Sequence, residues 1–286
     1  GNDTLVFAAS GASVTASNVE TITGSAATDV LTLGSQAAGI TVDLAGGTDA
    51  LVLHNQINTV TVSNAETVTG GTSVDIVTFG AAVTGATVDL AGGYDQLIFA
   101  AAGATATVTD VETITGAGGT DVVTLATQAT RATVDLGSGT DTVTLGAFVN
   151  TVTVSNVETI TGGSTNDTVT LAAQATGTVA DLGAGLDKLT LGAFVNTVTA
   201  SNVETITGGA TNDDVTLGAQ ATGAVVSLGA GLDRLTLGAF VNTVTASDIE
   251  TITGGSTDDT VVFGSRVIDY DVHLRAGLDR LTLGAC

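Results

Sequence analysis

The sequence predicts an all-β chain wound into a parallel β-solenoid, and three observations carry that expectation. First, a 46-residue unit recurs six times in unbroken phase. Glu-Thr-Ile-Thr-Gly begins at Glu20, Glu112, Glu158, Glu204 and Glu250, and Glu-Thr-Val-Thr-Gly at Glu66. Self-similarity at a fixed period marks stacked architectures, where a slipped register would spoil contact with both neighbours. Second, the unit is made of short alternating runs such as Leu235-Thr236-Leu237 and Val88-Asp89-Leu90. That period of two sets one row of side chains inward and the other outward. Third, the chain is rich in Val, Ile and Thr, which favour strands. Its 286 residues include 38 Gly and no Pro, which suits sheets in which every backbone N–H has a partner.

Each unit has two halves that resemble one another. Asp213–Leu232 and Asp233–Asp258 both open with Asp-x-apolar-Thr-apolar-Gly. The longer half adds a corner and a strand around Ser247-Asp248-Ile249-Glu250-Thr251-Ile252. The expectation is two coils per unit, of 20 and 26 residues, and twelve coils in a single continuous solenoid over residues 1–286. The rival geometry is one large coil per unit. Val, Leu and Ile point inward, Thr and Asp outward, and Gly-rich corners separate the strands. Stacking is expected to set like residues above one another. Asn18, Asn64, Asn156 and Asn202, with Asp110 and Asp248 in the same unit position, then form either a buried amide ladder or a row of solvated turn-formers. Cys286 falls where Phe148, Phe194 and Phe240 fall in earlier units, a position read as core.

Charge narrows the partners. Six basic residues stand against 29 acids, for a net charge of −23, while mean hydropathy is +0.46. Ample apolar surface argues for a folded chain. The acidic balance excludes nucleic acid, whose phosphates need a basic face, and docking on anionic lipid. No apolar run reaches the roughly 18 residues of a membrane span. The single cysteine excludes an internal disulfide framework. No signal peptide is read, and the chain begins and stops inside a repeat, so a piece of a longer protein is expected. Neither end shows a polar cap, which predicts continuation into a parent chain or end-to-end stacking with another copy.

Thirteen acids share one kind of place, the Asp that closes a Gly-rich turn and starts a strand. One series is Asp29, Asp75, Asp121, Asp167, Asp213 and Asp259; the other is Asp3, Asp49, Asp95, Asp141, Asp187, Asp233 and Asp279. All but Asp3 are the candidate metal ligands. On a single edge they would recur about every 4.8 Å, and calcium, which takes about six to eight oxygens, would relieve their repulsion. Alternatively each Asp caps its own turn. Asp43, Asp89, Asp135 and Asp181, replaced by Ser227 and His273, read as a solvated face, and the Glu20-to-Glu250 series as an outward, hydrated corner.

The turns Gly137-Ser138-Gly139-Thr140-Asp141, Gly183-Ala184-Gly185-Leu186-Asp187 and Gly229-Ala230-Gly231-Leu232-Asp233 resemble the nonapeptide of repeats-in-toxin calcium β-rolls. Asn-Val-Glu-Thr-Ile-Thr-Gly also resembles segments of bacterial surface-layer proteins and adhesins. The resemblance implies type I secretion, calcium-assisted folding outside the cell, and a role as scaffold or adhesive stalk. The departures are specific. Ser25 and Ala117 break the leading Gly pair, only Gly119 matches the third Gly of the first series, and the spacing is 20 and 26. Any calcium site here would therefore be assembled differently.

Catalysis has little to draw on. His54 and His273 have no recurring partner, and Tyr94, Tyr270, Lys188, Arg131, Arg234, Arg266, Arg275 and Arg280 are scattered. No nucleophile–base pair stands out. The expectation is a non-enzymatic structural domain of a secreted cell-surface protein, in a surface layer, adhesin stalk or extracellular filament. One alternative is ice binding through outward Thr-x-Thr pairs such as Thr205-Ile206-Thr207, each expected only once per unit. Another is a polysaccharide-binding or -cleaving β-helix, against which stands an aromatic content of 3%.

Overall fold

The computed structural model describes residues 1–100, 103–265 and 270–284. The chain forms two compact units, Gly1–Val143 and Thr144–Cys286. Arg266 and Cys286 lie outside the described residues. Each unit is an all-β parallel solenoid, and among the described residues no helix is long and apolar enough to cross a membrane.

In the first unit, eight strands pair in order in one sheet: Thr4–Val6, Thr21–Thr23, Ala38–Asp43, Asn58–Ser63, Asp75–Phe79, Gln96–Phe99, Thr113–Thr115 and Thr130–Asp135. Seven pair in the other: Ser13–Ala16, Val30–Leu33, Ala50–Val52, Thr67–Thr69, Thr84–Asp89, Thr105–Thr109 and Val122–Leu125. The second unit follows the same plan. Eight strands run from Thr151–Ser155 to Arg280–Thr282, and seven from Thr159–Thr161 to Asp271–His273. Successive strands alternate between the sheets, so two strands make one coil. Each strand pairs in parallel with the strand two places on, as Leu97 does with Ile114 and Ile114 with Val134.

The coil count differs from both expectations. One 46-residue unit contributes five strands, for example Thr21–Thr23, Val30–Leu33, Ala38–Asp43, Ala50–Val52 and Asn58–Ser63, before Thr67–Thr69 begins the next. Five is odd and each coil uses two, so a unit makes two and a half coils. The error lay in treating Glu-Thr-Ile-Thr as an extra piece of a longer coil. It is a full strand in its own right. Residues one unit apart therefore lie in different sheets: Thr67–Thr69 pairs with Thr84–Asp89 in one, while Thr113–Thr115 pairs with Gln96–Phe99 in the other. Like residues do not stack directly, contrary to expectation.

The core follows the alternation. Leu97, Ile114 and Val134 form one fully buried row, and Val169, Leu189, Ile206 and Val226 another. Burying such a side chain stabilises by about 1.5–3 kcal/mol. Thr and Asp occupy the outward positions, as in the strand Thr84–Asp89. Phe148, Phe194 and Phe240 are 45, 44 and 43% exposed, which corrects their reading as core: they ride on corner turns, outside the alternating strands. At the tightest turns a side chain has no room. A Cβ on Gly47 would sit 2.8 Å from the carbonyl carbon of Ala27 in the preceding coil, at φ +145°. Gly185 lies in the same situation against Thr165.

Candidate functional site

The acidic turn residues do not hang into solvent. Asp29, Asp49, Asp75, Asp95, Asp121, Asp141, Asp167, Asp187, Asp213, Asp233 and Asp259 are all at most 2% exposed. Asp279 is half-buried and Asp3 exposed. Nor do the two series share one edge. Asp29, Asp49, Asp121 and Asp141 precede strands of one sheet, whereas Asp75 opens and Asp95 precedes strands of the other. The half-integral repeat deals each motif alternately to the two edges of the roll.

Along an edge the residues form a column whose order is Asn, Asp, Asp, Glu, then a small residue. In the first unit one column runs Asn58, Asp75, Asp95, Glu112. Asn58 Nδ2 donates to Asp75 Oδ1 at 2.7 Å, Asp75 N–H to Asp95 Oδ1 at 2.7 Å, and Asp95 N–H to Glu112 Oε2 at 2.8 Å. The second unit repeats it through Asn196, Asp213, Asp233 and Glu250, at 2.8, 2.7 and 2.8 Å. Each side chain accepts a donor from the coil before it. Corner N–H groups that no strand ladder reaches, and whose burial unpaired would cost about 1–3 kcal/mol each, are satisfied in this way. Outside Asp121, first-series Asp residues also close their own turns, as Asp75 Oδ2 does with Gly71 N–H at 3.0 Å and Asp213 Oδ2 with Gly209 N–H at 3.1 Å.

One reading is extended, one open alternative is decided, and one set of residues is new. The Glu series lies at outward, half-buried corners and does more than face water: Glu20, Glu66, Glu112, Glu204 and Glu250 each cap the N–H of an Asp at 2.7–2.8 Å. Of the two alternatives for Asn18 and its counterparts, the structure has the exposed turn-former and not the buried amide ladder. Asn18, Asn64, Asn156 and Asn202 hold left-handed corners at φ +53 to +55°, a conformation Asn tolerates well, and Asn18, Asn64 and Asn202 are exposed on the surface. The amides that are buried are Asn58, Asn150, Asn196 and Asn242, which the sequence reading passed over. Their signal was the Asn of Ile57-Asn58-Thr59-Val60 and of Phe-Val-Asn-Thr-Val at Asn150, Asn196 and Asn242, a polar residue two places before an inward Val. Asp43 and Asp89, by contrast, stay on the outer surface and accept the N–H of Ala45 and Ala91 at 3.0 Å.

Burial sets the electrostatics. Loss of water lifts the carboxyls of Asp95, Asp187 and Asp233 to about 6, against the pull of the accepted N–H, with neighbouring Asp and Glu charges adding to the rise. Asp49 and Asp121 are raised for the same first reason. In Asp49, Asp95, Asp187 and Asp233, Oδ1 takes the N–H and Oδ2 is buried with no partner.

Other chemistry is sparse. A surface cleft recurs beside the column Glu, where the next column residue is small. It is about 190 Å³ at Glu20 and Gln36 and about 230 Å³ at Glu112 and Gln128. At Glu204 it shrinks to about 20 Å³. All three fall below the roughly 300–1,000 Å³ of ligand pockets. His273 contacts Asp271 at 3.0 Å on the open surface. Among the described residues, no three His, Cys, Asp or Glu side chains converge on a point that could hold a metal ion.

Thr-x-Thr pairs are denser than one per unit. In the second unit Thr153, Thr170, Thr190, Thr207, Ser227 and Ser247 pair in register over six consecutive strands of one sheet.

Comparison of the chain with family models, with curated proteins and with solved structures finds no match.

Proposed function

We propose that the chain is a structural repeat domain of a secreted bacterial cell-surface protein, serving in a surface layer, an adhesin stalk or an extracellular filament. The observation that carries this reading is the use to which the acids are put. In both units the buried carboxyls are spent on holding one coil to the next, and the same column recurs without a distinct centre. An active site is a singular arrangement, built from groups whose environments differ, whereas these carboxyls repeat. The resemblance of the Gly-rich turns and of Asn-Val-Glu-Thr-Ile-Thr-Gly to exported repeat proteins supports the location. The test is fractionation and surface proteolysis of cells that make the protein. Recovery at the surface and cleavage by external protease are expected, and recovery in the cytosol overturns the reading. An assay on polyuronates is expected to release no unsaturated or reducing ends.

A second reading has one specific observation behind it. The six-residue hydroxyl row from Thr153 to Ser247 lies on a sheet whose outward positions in the second unit carry no acid. Such a row holds ordered water at the spacing of neighbouring strands, about 4.8 Å, and so supports ice binding. Lys188 and Val225 interrupt the row beside it. Absence of thermal hysteresis from the folded protein removes this reading.

A further inference from the structure

The resemblance to calcium β-rolls makes a prediction about the acidic columns that their geometry can be set against. Calcium takes about six to eight oxygens, drawn from carboxylates and backbone carbonyls that face one point. The column carboxylates face hydrogen-bond donors instead. Asp167 accepts from Asn150 Nδ2 at 2.9 Å and from Gly163 N–H at 3.1 Å; Asp259 accepts from Asn242 Nδ2 at 2.9 Å and from Gly255 N–H at 3.0 Å. The positive ends of these dipoles lie where a cation would have to sit. Turn carbonyls are engaged as well. Gly71 O accepts Gly92 N–H, Gly163 O accepts Ala184 N–H and Gly209 O accepts Ala230 N–H, at 3.1–3.2 Å. The oxygens left over are Oδ2 of Asp49, Asp95, Asp187 and Asp233 in the second series and Oδ2 of Asp121 in the first, and the carboxyl that follows Asp49, Asp95, Asp187 and Asp233 in its column is turned to the N–H of that same Asp. The donor set does not fit calcium.

We infer that the columns are a metal-independent hydrogen-bond spine, in which the chain's own carboxyl groups close each corner and no cation is required for one coil to seat on the next. The two series then have different needs. Asp75, Asp167, Asp213 and Asp259 use both oxygens as acceptors, so the full carboxylate matters. Asp95, Asp187 and Asp233 use Oδ1 alone, so an amide of the same shape can replace them. At a calcium site the same exchange removes a charge from the ligand set and weakens binding. The inference concerns how the solenoid closes and does not depend on where the protein acts.

The experiment is thermal unfolding of the full chain, followed by circular dichroism, after exhaustive chelation and again with excess calcium, with a calorimetric calcium titration alongside. Superimposable unfolding curves and no saturable heat are expected. Loss of the strand signal on chelation, or a rise in Tm that saturates with calcium, overturns the inference. A second arm uses Asp95→Asn and Asp187→Asn. Each is expected to fold and to unfold at or above the temperature of the parent at neutral pH. Folded variants whose Tm falls, with calcium no longer raising it while it raises that of the parent, overturn the inference independently.

Discussion

The two units share one plan and differ at the heads of their columns. In the second unit every described column starts from an asparagine: Asn150, Asn196 or Asn242. Each holds its preceding turn through Nδ2, as Asn196 does with Gly192 O at 3.0 Å and Phe194 O at 2.6 Å, and also reaches the next Asp. In the first unit only Asn58 does this. Ala12 and Ala104 occupy the other heads and offer only a backbone N–H, to Asp29 and Asp121, each at 2.6 Å. Below Ala104, Asp121 Oδ2 is buried without a partner, whereas below Ala12 Asp29 Oδ2 accepts Ser25 N–H at 2.6 Å, as Oδ2 of Asp167, Asp213 and Asp259 each accepts a turn N–H. The same coil can thus close with or without the amide, and what the amide adds is a second fastening for the turn.

Breaking the core is expected to have the largest effect and to show no difference between the units. Leu90→Ala and Leu228→Ala empty equivalent, fully buried positions and should each cost about 2–5 kcal/mol, read as the shift in chemical unfolding of the variant. A markedly larger loss in one unit would place the difference in the core and not in the columns.

The dependence on pH comes next. The carboxyls of Asp95, Asp187 and Asp233 lie near 6 when folded and near 3.8 in a free chain. A group whose folded value is raised binds its proton more tightly in the native state. Its contribution to stability is therefore complete below about 3.8 and is lost as pH rises through about 6. Tm is expected to fall between pH 4 and pH 7, and the slope to lessen in the triple variant carrying Asn at these positions. A Tm that rises with pH across that window would show these carboxyls charged and stabilising.

The asparagine itself can be removed or added. Asn196→Ala deletes buried hydrogen bonds to two turn carbonyls and to Asp213, and is expected to cost about 1–3 kcal/mol in the second unit. The smallest effect belongs to Ala12→Asn, which offers Asp29 the additional donor it lacks. A gain of up to about 1 kcal/mol is expected, visible as slower amide hydrogen exchange in Thr4–Val6 and Ser13–Ala16. A loss instead would show that the turn at Gly11, with φ +75°, has no place for the amide.

Much of the fold was legible because a sheet face repeats every second residue and sequence periodicity reports that directly. The inward rows of Val, Leu and Ile were read correctly from runs such as Val88-Asp89-Leu90. Coil number was not legible, because a 46-residue period measures the repetition of sequence and not the turn of the chain. Counting the alternating runs in one unit, and noticing that they number five, would have revealed the half coil. The columns were missed for a different reason. An Asp after a Gly-rich turn looks the same whether its carboxyl faces water or caps the preceding coil, and only the position of that coil decides. The buried asparagines were visible in principle, as lone amides within the inward rows.

The half coil gives repeat number a parity. Adding or deleting a single 46-residue unit moves every downstream strand into the opposite sheet and turns whatever follows to the other side of the axis. Adding or deleting two units restores the phase. Gain or loss of single units is tolerable here because both edges carry the same Asp-Asp-Glu order, so either can serve as either. A segment joined beyond the repeats has no such equivalence. For it, an odd change in unit number is a half-rotation and an even change only a displacement.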